Sequence, residues 1–388
     1  MANERVCAVV KKPLVGFNYP IAWNAYGAYF GGGLTPGAQP ALDVWTDNLK
    51  VNLRKLRDEL NIGVVRIFLL CNGFNYGSFT QARRGSPSTF SLPPKMHPKF
   101  KEHLEKMMLA FRDTSMMAIP SIIDFKAFGR KLTLRAGLPP KTVNGSRTKR
   151  IDPVTNGCTD RQQIVQDKTM RQEFFGQMKE NLLDPSIPFR SHIYAWEVQN
   201  EPSWNFRTVA SDAVAGGATV SKEEMRTFLR EGVDLIDGIT VNGQRAFNST
   251  VGHRFLEDLD DLPTGTRRQF HFYPYVLNLP LDLGTIPLRD TSLPRFEDSR
   301  AFLGEIGIQD PAVGHGDLWP DLGGADAGDT RTRILARLQF VRQQGYPLVM
   351  MWTDGLDGKG RSSVAPGPDP LQLSPESQAA VKEFMKLP

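Results

Sequence analysis

Two rhythms of apolar residues alternate along this chain. Short runs rich in Val, Ile, Leu and Phe stand at LVGFN (14–18), GVVRIFLL (63–70), SMMAIPSIID (115–124) and HIYAWEVQ (192–199). Four more follow at RAFNSTV (245–251), RRQFHFY (267–273), RAFLGEI (300–306) and PLVMMW (347–352). Each predicts a strand. Most read as continuous apolar runs, as parallel strands buried on both faces do. Between them the spacing turns helical. Trp45, Leu49, Leu53, Leu56 and Leu60 line one face, with Asp43 as first-turn acid or N-cap and Gly63 as the stop. Phe100, Leu104, Met107, Met108 and Phe111 mark a second helix, and Phe174 and Met178 a third. Residues 221–239 open with SKEE, a capping box. Residues 331–345 end on Gly345, and a last helix covers 377–387.

Eight strands alternating with helices predict an α/β fold, a (β/α)₈ TIM barrel. A single domain over residues 1–388 is expected, with long βα loops at 124–160 and 274–298. The rival is a doubly wound open sheet, which begins with a Gly-rich phosphate turn. GGG (31–33) lacks the G-x-G-x-x-G pattern and reads as a loop.

Composition changes this picture little. Of 388 residues, 40% are hydrophobic and 23% charged, which fits a globular chain rather than a disordered one. The net charge of +5 is spread out, apart from KTVNGSRTKR (141–150). That segment reads as a solvated basic loop, so no nucleic-acid partner is expected. Cys7, Cys71 and Cys158 form no CxxC motif; whether Cys71 and Cys158 pair stays open. No apolar run reaches about 18 residues, so no membrane partner is expected. The start lacks a signal peptide's apolar core. A soluble monomer is expected, either cytoplasmic or secreted with its signal removed.

The chemistry concentrates where barrel strands end, which is where such folds carry their active sites. Asn18, Tyr19 and then Trp23 follow the first run; Arg66 lies inside the second; Asp124 ends the third. Asn200 and Glu201 end the fourth, His271 and Tyr273 the sixth, Glu305 the seventh, and Trp352 followed by Asp354 the eighth. Packing alone would not select such ends. Glu201 and Glu305 form the pair that retaining glycoside hydrolysis needs, one acid and one nucleophile roughly 5 to 5.5 Å apart. Neighbouring carboxylates push each other's pKa values apart, which suits these two roles.

VVRIF, VQNEP, HFY, FLGEIG and MMW, in that order and at barrel spacing, resemble glycoside hydrolase clan A. That superfamily of retaining (β/α)₈ enzymes includes the family five cellulases and mannanases. The resemblance implies Glu201 as acid/base and Glu305 as nucleophile. It implies that Asn200 binds the sugar 2-hydroxyl, and that Arg66 and Tyr273 orient the nucleophile. His271 would touch the acid/base or a sugar hydroxyl, and Trp352 would floor the −1 subsite. Family five members often carry a histidine soon after the third strand; here DFKAFG has none.

Blander readings stand beside these. Glu201 can be a turn cap, Glu305 the partner of a structural arginine, and His271 a core histidine. A buried Arg66 needs an acid partner in any case. Trp23, Trp204 and Tyr26 either line distal sugar subsites or anchor loops, and His253 is ambiguous for the same reason. TDGLDGKG (353–360) lacks the full spacing of a calcium loop and reads as a loop that touches substrate through Asp354 or Asp357. No cofactor or metal is required by the chemistry, and no G-x-S-x-G elbow appears. The expected function is retaining hydrolysis of a β-linked carbohydrate, of β-mannan or β-glucan type. The alternatives are a carbohydrate-binding barrel without catalysis and a transglycosylase.

Overall fold

The computed structural model describes residues 14–18, 38–70, 100–128, 142–143, 146–147, 162–206, 220–254, 257–272, 301–306, 330–343, 345–351 and 375–387. Its framework is eight strands: β1 (Leu14–Asn18), β2 (Val64–Leu70), β3 (Met117–Asp124), β4 (Trp196–Asn200), β5 (Ser249–His253), β6 (Arg268–Phe272), β7 (Ala301–Ile306) and β8 (Leu348–Met351). They form a closed barrel in sequence order, with β1 parallel to both β2 and β8. The longer described helices fall between and after them: α1 (Ala38–Leu60), α2 (Phe100–Asp113), α3 (Lys168–Asn181), α4 (Lys222–Asp237), α5 (Thr330–Gln343) and α6 (Pro375–Lys386). This is the (β/α)₈ barrel that the alternation of runs predicts.

The chain divides into two compact units. The first is drawn from residues 1–19, 51–66 and 267–388. In it β1 pairs with β8 and with the start of β2, and β6, β7 and β8 pair in turn. Val15, Phe17, Phe302, Leu303, Val349 and Met350 are buried there. The register between β6 and β7 shifts between Phe270 and His271.

The second unit is drawn from residues 20–50 and 67–266. Here β4 lies between β3 and β5. All five residues of β4 are buried, although three of them, Glu197, Gln199 and Asn200, are polar. Glu197 accepts the Ser121 hydroxyl at 3.0 Å, which offsets part of the burial cost. Against these strands, α2 buries Phe100, Leu104, Met107, Met108 and Phe111, each worth about 1.5–3 kcal/mol relative to exposure. Phe228 of α4 meets Phe174 and Phe175 of α3 at 5.7 and 5.1 Å between ring centroids. The capping box of α4 forms as its sequence predicts. Ser221 Oγ accepts from the Glu224 backbone N–H, and the Glu224 carboxylate accepts from the Ser221 N–H.

Three local expectations change. First, α1 begins at Ala38, so Asp43 lies within the helix and pairs with Lys106 at 2.6 Å instead of capping. Pro40 is compatible with this start, because a first-turn residue needs no N–H. Second, the helix is closed by Asn61 in the left-handed region (φ 54°), whose N–H bonds to the Arg57 carbonyl at 2.9 Å; Gly63 comes too late. Third, the fifth strand runs Ser249–His253, not 245–251. Residues 240–241 pair antiparallel with 244–245 around Asn242 (φ 52°) and Gly243 (φ 75°). An Asn-Gly turn with both φ positive makes a tight hairpin and delays the strand. By contrast, Gly345 takes the positive φ (77°) expected beyond α5.

Candidate active site

In the first unit, polar side chains gather at one end of the strands. Asn18 ends β1 and stands in register with Arg66 of β2. His271 of β6 stands in register with Glu305 of β7. Arg66 is completely buried, so its guanidinium must be matched by charge and hydrogen bonds. Its Nη1 donates to Glu305 Oε1 at 2.5 Å and to Asn18 Oδ1 at 3.0 Å. Asn18 Nδ2 in turn donates to the carbonyls of Gly304 and Met351, at 3.0 and 3.2 Å. The asparagine therefore ties the arginine to the backbone of β7 and β8. His271 Nδ1 approaches the same Glu305 oxygen to 3.5 Å. Glu305 is thus held by one cation and faced by one imidazole.

In the second unit, the site residues follow β3 and β4. Asp124 and Asn200 end these strands in register, and Asn200 Nδ2 donates to Asp124 Oδ1 at 2.8 Å. Next comes Glu201, in the left-handed region at φ 46° and ψ 56°. For a non-glycine residue this conformation costs on the order of 1–3 kcal/mol and persists only where the surroundings enforce it. Here its N–H bonds to the Gly252 carbonyl at 2.8 Å, and Pro202 opens a 3₁₀ turn through Asn205. The Glu201 side chain makes no capping bond to that turn. It accepts instead from the Trp204 indole N–H at 2.7 Å, which excludes the turn-cap reading. Trp204 is buried and packs near Phe125, 6.0 Å between centroids. Asn205 anchors the turn: its Nδ2 donates to the Phe125 carbonyl at 2.8 Å, and its Oδ1 accepts from Gln199 at 2.7 Å. Ser203 bonds to Asp258.

The structure brings Arg66, His271 and Glu305 together in one unit, and Asn200, Glu201 and Trp204 together in the other. Trp204 is a hydrogen-bond partner of Glu201. His253 ends β5, with Nε2 3.1 Å from the Pro263 carbonyl. Trp23, Tyr26, Tyr273, Trp352, Asp354 and Asp357, and the three cysteines, lie outside the described residues. Asn18, Asp124 and Gln269 join the site although their sequence context singles them out less. The first two carry the signal of polar strand ends. Gln269 has a weaker one, a buried polar residue two places before His271. Among the described residues, Glu201, His271 and Glu305 offer metal-binding donor types.

No protein-family model matches the chain, and no curated protein matches it. Solved structures do match its fold. A β-mannanase from the blue mussel Mytilus edulis aligns at 12% identity and TM-score 0.56, over 95% of this chain and 91% of that one. A β-1,4-D-mannanase from Cryptopygus antarcticus aligns at 14% identity and TM-score 0.56, over 96% and 90%. GH5_18 from Streptomyces cattleya, in complex with GlcNAc, aligns at 16% identity and TM-score 0.53, over 97% and 80%. The likeness establishes the fold, a closed parallel (β/α)₈ barrel.

Proposed function

We propose that this chain is a retaining β-glycosidase of the clan A type, near family five, with Glu305 as nucleophile and Glu201 as acid/base. The observation that carries the reading is the buried Arg66 guanidinium, 2.5 Å from a carboxylate at a strand end. An ionised, oriented carboxylate at the end of β7 is what attack on an anomeric carbon requires. In the first step Glu201 gives its proton to the glycosidic oxygen as that bond breaks. A Glu305 oxygen bonds to the anomeric carbon. In the second step Glu201 takes a proton from water, the water oxygen bonds to the anomeric carbon, and Glu305 is released. Asn200 would hold the sugar 2-hydroxyl, a contact that strengthens in the transition state. Tyr273 would add a hydrogen bond to the nucleophile, and Trp352 a stacking floor; Trp23 and Asp354 would touch substrate from the loops.

The substrate class we propose is a β-linked polysaccharide or oligosaccharide, with β-mannan placed before β-glucan. The mannanases among the fold's relatives favour that order. The test is intact mass after incubation with 2-deoxy-2-fluoro β-mannosides and β-glucosides, followed by peptide mapping. A covalent label on Glu305 is expected. A folded protein that takes no label and cleaves neither polymer would overturn the reading in favour of a binding barrel.

A further inference from the structure

Gln269 lies on β6 two residues before His271 and is completely buried. Its amide is placed from two sides. On one side is Gly304, the residue before Glu305. A Cβ there would stand 2.2 Å from Gln269 Nε2, 2.5 Å from Cγ and 2.6 Å from Cδ, so only glycine leaves room for the glutamine. On the other side Gln269 Nε2 stands 3.0 Å from His271 Nε2. An amide nitrogen carries only hydrogens to offer, so the ring nitrogen facing it must present its lone pair. In a neutral ring the proton then sits on Nδ1. That atom is the one 3.5 Å from Glu305 Oε1.

We propose that Gln269 is a positioning residue that fixes His271 in its Nδ1–H tautomer, so that the ring directs an N–H at Glu305. A neutral imidazole has two tautomers, and the hydrogen bond at one nitrogen decides what the other presents. The opposite tautomer would set the Nδ1 lone pair against a carboxylate oxygen. It would also set an N–H against the amide hydrogens of Gln269. Gly304 belongs to the same device: a side chain there would displace the glutamine and release the ring. The tautomer stands independently of any activity; its catalytic consequence rests on the reading of Glu305 as nucleophile.

The direct test is ¹⁵N NMR of histidine-labelled protein at neutral to mildly alkaline pH. Protonated and unprotonated ring nitrogens have well separated shifts, and six histidines allow assignment by single substitution. The wild-type His271 ring should show a protonated Nδ1 and a bare Nε2. Gln269→Leu, of similar volume, should let the ring take up the Nε2–H form. Gln269→Glu, isosteric but an acceptor at that atom, should place a proton on Nε2. Each variant should lose about tenfold in kcat with KM little changed, the size of one lost hydrogen bond in the transition state. A wild-type ring protonated at Nε2, or a Gln269→Leu ring that keeps its tautomer, overturns the proposal. If the fluorosugar fails to label Glu305 while the tautomer is as stated, the glycosidase reading falls and the positioning of the ring remains. If Glu305 is labelled and the tautomer is wrong, this proposal alone falls.

Discussion

Arg66 Nη1 stands 2.5 Å from Glu305 Oε1, and both side chains are almost wholly withdrawn from solvent. A buried ion pair adds little net stability when whole, yet breaking it strands a charge. Arg66→Met should therefore unfold at lower urea, with a loss of about 3–5 kcal/mol. Glu305→Gln should lose a comparable amount. The double variant should lose clearly less than the sum, because the two groups compensate each other. Equilibrium urea unfolding of the four proteins measures the coupling. Additive losses would show that the pair is not a unit. Neither single variant should retain hydrolytic activity.

Asp124 ends the third strand and receives the Asn200 amide at 2.8 Å. With one amide hydrogen held by Asp124, the rest of the Asn200 side chain is turned to a set direction. Asp124→Ala should lower kcat/KM about tenfold on an aryl β-glycoside that has its 2-hydroxyl. If Asn200 holds the sugar 2-hydroxyl as proposed, the loss should be much smaller on the 2-deoxy analogue. Equal losses on the two substrates would separate Asp124 from the 2-hydroxyl contact.

Much of this arrangement is legible from the order of residues. Continuous apolar runs specify parallel barrel strands because burial on both faces leaves no solvent face to encode. Polar residues at the ends of those runs, such as Asn200 and Glu305, stand out for the same reason. Arg66 inside VVRIF announces a buried partner, and the pair with Glu305 answers it. What is not legible depends on geometry across strands or on turn chemistry. Gln269 has no meaning until Gly304 and His271 surround it. Residues 245–251 read as one apolar run, but Asn242 and Gly243 at positive φ fold part of it into a hairpin. Asn61 stops α1 because asparagine tolerates the left-handed region, two residues before the glycine that sequence favours.

The α4 capping box makes stability depend on pH. The Glu224 carboxyl is held below its ordinary range, first by the Ser221 backbone N–H that it accepts at 2.7 Å. A depressed carboxyl pKa means that the unfolded chain binds the proton more readily. The contribution is therefore full above the unfolded value of about 4.3 and disappears as pH falls through the folded one. Glu224 is largely solvated, so the effect is a fraction of a kcal/mol after screening. Glu224→Ala should lower the melting temperature more at pH 7 than at pH 3. A penalty that does not shrink in acid would mean that the charge of Glu224 plays no part in the cap.

Glu201 is held in a left-handed backbone conformation with its Oε2 on the Trp204 indole N–H, an arrangement that fixes where its carboxyl group lies. If it is the acid, the benefit of its proton depends on how poor the leaving group is. An amide in its place can still accept the indole hydrogen bond but has no proton to give. Glu201→Gln should thus cut glycosylation by about 10²–10⁴-fold on a β-1,4-linked oligosaccharide, whose sugar alkoxide needs protonation. On a 2,4-dinitrophenyl glycoside, which departs as a stable anion, the first step should stay within roughly tenfold of wild type. Deglycosylation would then limit turnover, because the same residue must activate water. A burst of dinitrophenol followed by a slow steady state is the expected trace in stopped flow. Loss of the burst, with equal slowing on both substrates, would remove Glu201 from the acid role.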